Sequence, residues 1–120
     1  MMYISSDYGK IDSRSPAVQF NDSRSEMDEI TGLFDRARKY TSRNRYEDAV
    51  QAYQEILMIN PLDTDALSEL DQIAARMIRE GEKFDRQGNT GQALRYYRQA
   101  YDIRPRDKKL AEIIRKLEQR

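Results

Sequence analysis

From position 27 onward the apolar residues recur at steps of three and four. Met27, Ile30, Leu33, Phe34, Ala37 and Tyr40 form the first stripe, a spacing that lines one face of an α-helix. Ser25 reads as its N-cap with Asp28 three residues on, which predicts a first helix over 26–43. A turn at Ser42-Arg43-Asn44 follows. Asn44 is the expected cap of the second helix, with Glu47 reaching back. That helix carries Tyr46, Ala49, Val50, Tyr53, Ile56 and Leu57 and ends near Ile59, before Asn60-Pro61, because proline cannot donate and restricts the residue before it.

The third stripe is the long one. Leu67, Leu70, Ala74, Met77, Gly81 and Phe84 continue without a proline from Thr64 to Gly88. Capped by Asp63 or Thr64, they predict a helix of about 23 residues, beyond the usual globular length. A turn at Gly88-Asn89 precedes a fourth helix bearing Ala93, Leu94, Tyr97, Ala100 and Tyr101, with Asn89 and Gln92 repeating the capping arrangement. It ends before Pro105. Asp107 caps a fifth helix with Leu110, Ile113, Ile114 and Leu117. No strand pattern of any length is present, so the expected class is all-α, with about five antiparallel helices. Residues 1–24 show no helical period and repeat Ser, Asp, Gly and Pro. They are expected to be a disordered tail, a leader or expression remnant. Its apolar beads Tyr3, Ile4, Tyr8, Ile11, Val18 and Phe20 leave open a tether that docks on a partner.

The second and fourth helices spell nearly the same phrase: YEDAVQAYQEILMINP from Tyr46 to Pro61, and GQALRYYRQAYDIRP from Gly91 to Pro105. Leu33 matches Met77, Ala37 matches Gly81, and Tyr40 matches Phe84. Ala49 matches Ala93, Tyr53 matches Tyr97, Ile56 matches Ala100, and Pro61 matches Pro105. Every pair lies 44 residues apart, the mark of a duplicated helical hairpin. Small residues at Ala37, Gly81, Ala49 and Ala93 let helices approach closely, while Tyr40 and Phe84 fill the space between them.

This pattern resembles the tetratricopeptide repeat over residues 30–107, an α-solenoid fragment. The first copy reads Leu33-x2-Arg36-Ala37-x2-Tyr40, Ala49-x3-Tyr53, Pro61. The second reads Met77-x2-Glu80-Gly81-x2-Phe84, Ala93-x3-Tyr97, Pro105. Arg36 and Glu80 stand where the family carries leucine, so those sites are expected to be solvated. The family period is about 34 residues, so residues 64–73 are extra. They lengthen the third helix by about 15 Å, and a regular superhelical stack is not assured. Sel1-like and other hairpin repeats, which tolerate longer periods, are the alternative. The expected organisation is a tail (1–24) and a helical domain (25–120). That domain comprises hairpins over 26–61 and 64–105, and a capping helix over 107–119 with Lys108, Lys109, Glu112, Arg115 and Lys116 toward water.

Composition narrows the chemistry. The 120 residues contain no Cys and no His, which removes disulfides, thiolate metal sites and the commonest general base. No Gly-rich phosphate loop appears, and nothing groups the remaining acids, bases and tyrosines into a reactive set. No catalytic, metal or cofactor site is expected, and the chain reads as no enzyme. Charged residues make up 35% and mean hydropathy is −0.94. No apolar run approaches membrane-spanning length and no signal-peptide layout opens the chain, so membrane insertion is not expected. Localisation is not fixed. The cytoplasm is favoured, and the periplasm stays open because cysteine is absent and the native start can lie upstream.

The net charge of zero hides blocks. Residues 46–75 hold seven acids and no base, whereas residues 76–120 hold thirteen bases and seven acids. Opposite charges at opposite ends of the solenoid suit head-to-tail contact and suggest weak, salt-sensitive self-association, with Leu67, Leu70 and Ile73 as its adhesive surface. Nucleic acid is an unlikely partner. The tyrosines follow core spacing, with Tyr96 and Tyr101 the exceptions because one helix cannot bury every face, and the basic fifth helix fits a solvated cap.

The family resemblance implies a protein-interaction scaffold whose groove is lined by the first helix of each hairpin. Carried over by position, the groove residues are Thr31, Phe34, Arg38, Thr41 and Ser42, then Ala75, Ile78, Glu82, Asp85 and Arg86. Phe34, Arg38, Ile78 and Glu82 stand where chaperone-binding members place their carboxylate clamp, so that mode is not expected. The expected function is a non-catalytic scaffold or assembly subunit, the alternative is an adaptor gripping a peptide in the groove, and nucleic-acid contact through the basic C-terminal helix is a remote third.

Overall fold

The computed structural model describes residues 25–120, and the segment assigned above as a tail lies outside them. The described residues are all-helical, with five helices and no strand. We label them α1 (25–42), α2 (Tyr46–Ile59), α3 (Thr64–Arg86), α4 (Thr90–Ile103) and α5 (Lys108–Glu118). Ser25 is already helical, so it does not cap α1.

Local chemistry explains the boundaries. Asp63, Asn89 and Asp107 each accept a hydrogen bond from the backbone N–H three residues on, from Ala66, Gln92 and Leu110, and so satisfy an unpaired donor of the first turn. Asp63 and Asp107 are 44 residues apart, each two residues after a proline. Asn60 and Arg104, the residues before those prolines, are forced out of helical geometry (φ −134° and −117°).

Asn44 departs from expectation. It adopts the left-handed conformation (φ 59°), as does Gly88 (φ 77°) 44 residues later. The turn after α1 needs that conformation, and asparagine tolerates it better than other residues with a side chain. Asn44 therefore closes α1 and does not cap α2. Arg45 precedes α2 with no side-chain cap, and Glu47 and Asp48 in the first turn supply negative charge to that helix end instead.

Five of the matched pairs are buried in both copies. Leu33, Ala37, Ala49, Tyr53 and Ile56 sit in the same cluster as Met77, Ala93, Tyr97 and Ala100, and Gly81 is buried beside them. Tyr40 and Phe84 are half-buried at the cluster's edge. Phe84 stacks on Tyr96, with centroids 5.6 Å apart and planes 6° from parallel, and Tyr96 and Tyr101 are both half-buried against the core. Leu110, Ile114 and Leu117 of α5 complete the cluster. Of the two sites expected to be solvated, Arg36 is exposed and Glu80 half-exposed.

α3 carries both hairpins. α2 runs antiparallel along its first part: Tyr53 reaches Glu69, and Arg76 lies over the ring of Tyr46, the first residue of α2. α4 runs antiparallel along its second part, with Tyr97 against Gly81 and Tyr96 against Phe84, while the side chain of Arg104, just past the end of α4, reaches back to Asp71 in the first part. Ten residues of α3 follow Arg76, so it overhangs the start of α2 by about 15 Å. The extra decapeptide therefore steps the second hairpin along the axis of α3 rather than bulging outward.

The close approach at Gly81 sets a test. A Cβ there would lie 2.9 Å from the Tyr97 ring, whereas one at Gly32 meets nothing within 4 Å. Gly81→Leu and Ala93→Leu are each expected to lose about 1–3 kcal/mol. Gly32→Ala is expected to gain about 0.5–1 kcal/mol from helix propensity alone. Thermal melts followed by circular dichroism decide, and unchanged midpoints for both leucine variants would contradict this packing.

Candidate partner-binding site

The step leaves the start of α2 standing against the flank of α3 and α4, and three clefts meet there. One of about 300 Å³ lies between α1 and α3, lined by Thr41, Tyr46, Glu69, Gln72, Ile73, Ala75, Arg76 and Arg79. A second of about 280 Å³ is walled by the 44–48 segment with Met77, Arg95, Tyr96 and Gln99. A third of about 210 Å³ runs between α2, α3 and α4 past Val50, Ile73, Met77 and Ile103. Tyr46 lines all three. It is held from two sides, with its hydroxyl donating to Asn44 Oδ1 (3.0 Å) and the Arg76 guanidinium 5.2 Å above its ring. Cavities this small accommodate one or two side chains rather than a bulky organic ligand.

The step also decides where the groove residues go. Thr41 and Ala75 share the first cleft. Ile78, Glu82, Asp85 and Arg86 lie farther along α3, on the overhang, and line none of these three clefts. Phe34 is half-buried, in a T-shaped contact with Tyr53 with centroids 5.9 Å apart, and the Arg38 guanidinium lies 5.2 Å over its ring. The hydroxyls of Thr31, Thr41 and Ser42 donate to carbonyls of their own helix, at Met27, Ala37 and Lys39, so their donors are engaged within it. Asp85 is paired with Arg120 at 2.8 Å. Ile78 packs on the core, while Glu82 and Arg86 are exposed. The first cleft instead brings in Tyr46, Gln72, Arg76 and Arg79, which positional carry-over missed. The ten surplus residues were the available signal, since they rotate and advance α3 relative to α1.

The charge blocks meet within one molecule. Asp71 pairs with Arg104 at 2.8 Å, and Glu47 receives Arg95 at 3.8 Å and the Gln99 amide at 3.0 Å. Within the 76–120 block, Arg98 pairs with Glu118 at 2.7 Å. Such exposed pairs contribute little stability individually, yet they occupy charges assigned above to self-association. Leu70 and Ile73 are buried, which corrects their assignment as an adhesive surface, and of that trio only Leu67 is exposed, at 46%. They face inward because the extra turns of α3 pack into the core. Among the described residues the large exposed apolar side chains are Met27, Met58, Leu62 and Leu67.

At the floor of the α1–α3 junction the buried Tyr53 hydroxyl donates to Glu69 Oε2 (2.9 Å). Burial, then the hydrogen bond and charge of Glu69, push its pKa up to about 12. Burial likewise raises Tyr97, with Glu82 and Asp85 adding to it. Among the described residues no group of three or more His, Cys, Asp or Glu is placed to hold a metal ion, and no helix is long and apolar enough to cross a membrane. Comparison with protein-family models and with curated proteins gives no match.

The raised tyrosine pKa fixes a sign. The folded state keeps the Tyr53 proton above pH 10, where the unfolded chain releases it. Its contribution is therefore complete below pH 10 and is lost as pH rises toward about 12. Tyr53→Phe is expected to melt lower near neutrality, by about 1 kcal/mol for the lost hydrogen bond, and to show a shallower decline between pH 9 and 12. Parallel alkaline declines for variant and parent would remove the Tyr53–Glu69 account.

Proposed function

We propose that the protein is a tetratricopeptide-like, non-catalytic interaction module, a scaffold or assembly subunit of a larger complex. One observation carries this reading: two interlocked hairpins fixed on a shared helix, with a step between them that presents clefts sized for side chains. Rigid elements flanking shallow clefts suit recognition of a protein surface or segment, because the site is organised before binding and loses little entropy on association. The exposed Met58 and Leu62, 84% and 81% accessible around the α2–α3 turn, favour an assembly role over a freely diffusing adaptor, since apolar side chains exposed to this degree suit contact with another protein.

The self-associating form of this reading now rests on Leu67 and the exposed acid Asp65 beside it. Affinity purification of the tagged chain from its native source, with quantitative mass spectrometry, tests the function. At least one protein is expected in near-stoichiometric amount, or the purified chain is expected to sediment above its monomer mass at low salt. No retained protein together with a strict monomer at high concentration and low salt would contradict the reading.

A further inference from the structure

We infer that the α1–α3 cleft at the step binds a carboxylate side chain of an acidic partner segment, with Arg76 and Arg79 holding the charge. This rests on the interaction-module reading and assigns that site its chemistry. Arg76 and Arg79 are one helical turn apart on α3, both exposed, and both line the cleft. Neither is in an ion pair among the described residues, whereas Arg45, Arg95, Arg98, Arg104 and Arg120 each are. The wall contains one acid, Glu69, and one of its oxygens already accepts the Tyr53 hydroxyl. The cleft is thus one positive charge in excess.

Its geometry suits a side chain. The Arg76 guanidinium is held over the Tyr46 ring at 5.2 Å, which limits its rotamers while leaving its N–H groups in plane for a carboxylate. Ile73 and Ala75 give an apolar surface for the methylenes of Asp or Glu, and Gln72 adds an amide. The site is distinct from a terminal-carboxylate clamp, since it uses α3 positions that only the ten-residue step brings against α1. The charge complement therefore points to an acidic stretch within a protein chain.

Fluorescence anisotropy with a labelled (Glu-Gly)5 peptide, and (Gln-Gly)5 as its neutral match, tests this on the full chain. The acidic peptide is expected to bind saturably at low salt, more tightly than its match. Arg79→Glu is expected to weaken it by about tenfold or more, the scale of one charge-assisted hydrogen bond. Arg76→Ala should act in the same direction. Arg115→Glu on the solvent side of α5 makes the same charge change away from the cleft and is expected to leave binding near the parent value. Circular dichroism of each variant checks the fold, with Arg79→Glu as the cleaner probe because Arg76 supports Tyr46. Equal binding of the two peptides, or equal losses in Arg79→Glu and Arg115→Glu, would overturn the inference. If Arg79→Glu still retained the partner seen in affinity purification, the interaction function would stand without this site.

Discussion

The continuity of α3 is the constraint on which the other features depend. Twenty-three residues without a break give two hairpins one shared axis. α2 uses the part of α3 bearing Glu69 and Arg76, while α4 uses the part bearing Gly81 and Phe84. The ten surplus residues thus become a translation of one hairpin against the other. A helix is stiff along its axis, so the displacement cannot be absorbed locally. Its consequences are the overhang, the buried Leu70 and Ile73, and the three clefts around Tyr46.

The repeat reaches deeper than its side chains. Matched positions share burial, but they also share backbone state: Asn44 and Gly88 are both left-handed. Asp63 and Asp107 both cap, and Asn60 and Arg104 both leave helical geometry before proline. Two copies agreeing on caps, turns and core is the consistency across levels that selects one fold over its competitors. The first copy differs where it touches the step. Tyr53 gains an acceptor in Glu69, while Tyr97 lies instead on the bare backbone of Gly81.

The hairpins were legible in the sequence because their logic is local: a small residue, an aromatic three or four positions on, a proline terminator. The length of α3 was legible as well, since no breaker interrupts Thr64 to Gly88. What the extra turns would touch was not legible. Leu70 and Ile73 look the same in the sequence whether neighbouring helices or solvent cover them. The groove positions do not come together for a related reason, because positions carried over from a 34-residue period assume that first helices lie level. The step moves Ile78, Glu82, Asp85 and Arg86 onto the overhang and brings Arg76 and Arg79 to Thr41 instead. Asn44 was misread because the same residue serves as an N-cap or in a left-handed turn, and only the helix it follows decides which.

The central claim is that one unbroken helix sets the offset between the hairpins. The chain has no cysteine, so Arg43→Cys and Gln87→Cys, both at exposed turn positions, would be the only sites for spin labels. Pulsed electron resonance then reads the distance between the two turn tips. The account predicts a single narrow distribution centred beyond the axial offset of about 15 Å. A broad or two-peaked distribution, or one centred below that offset, would mean that α3 bends or breaks between Ile73 and Met77 and would contradict it.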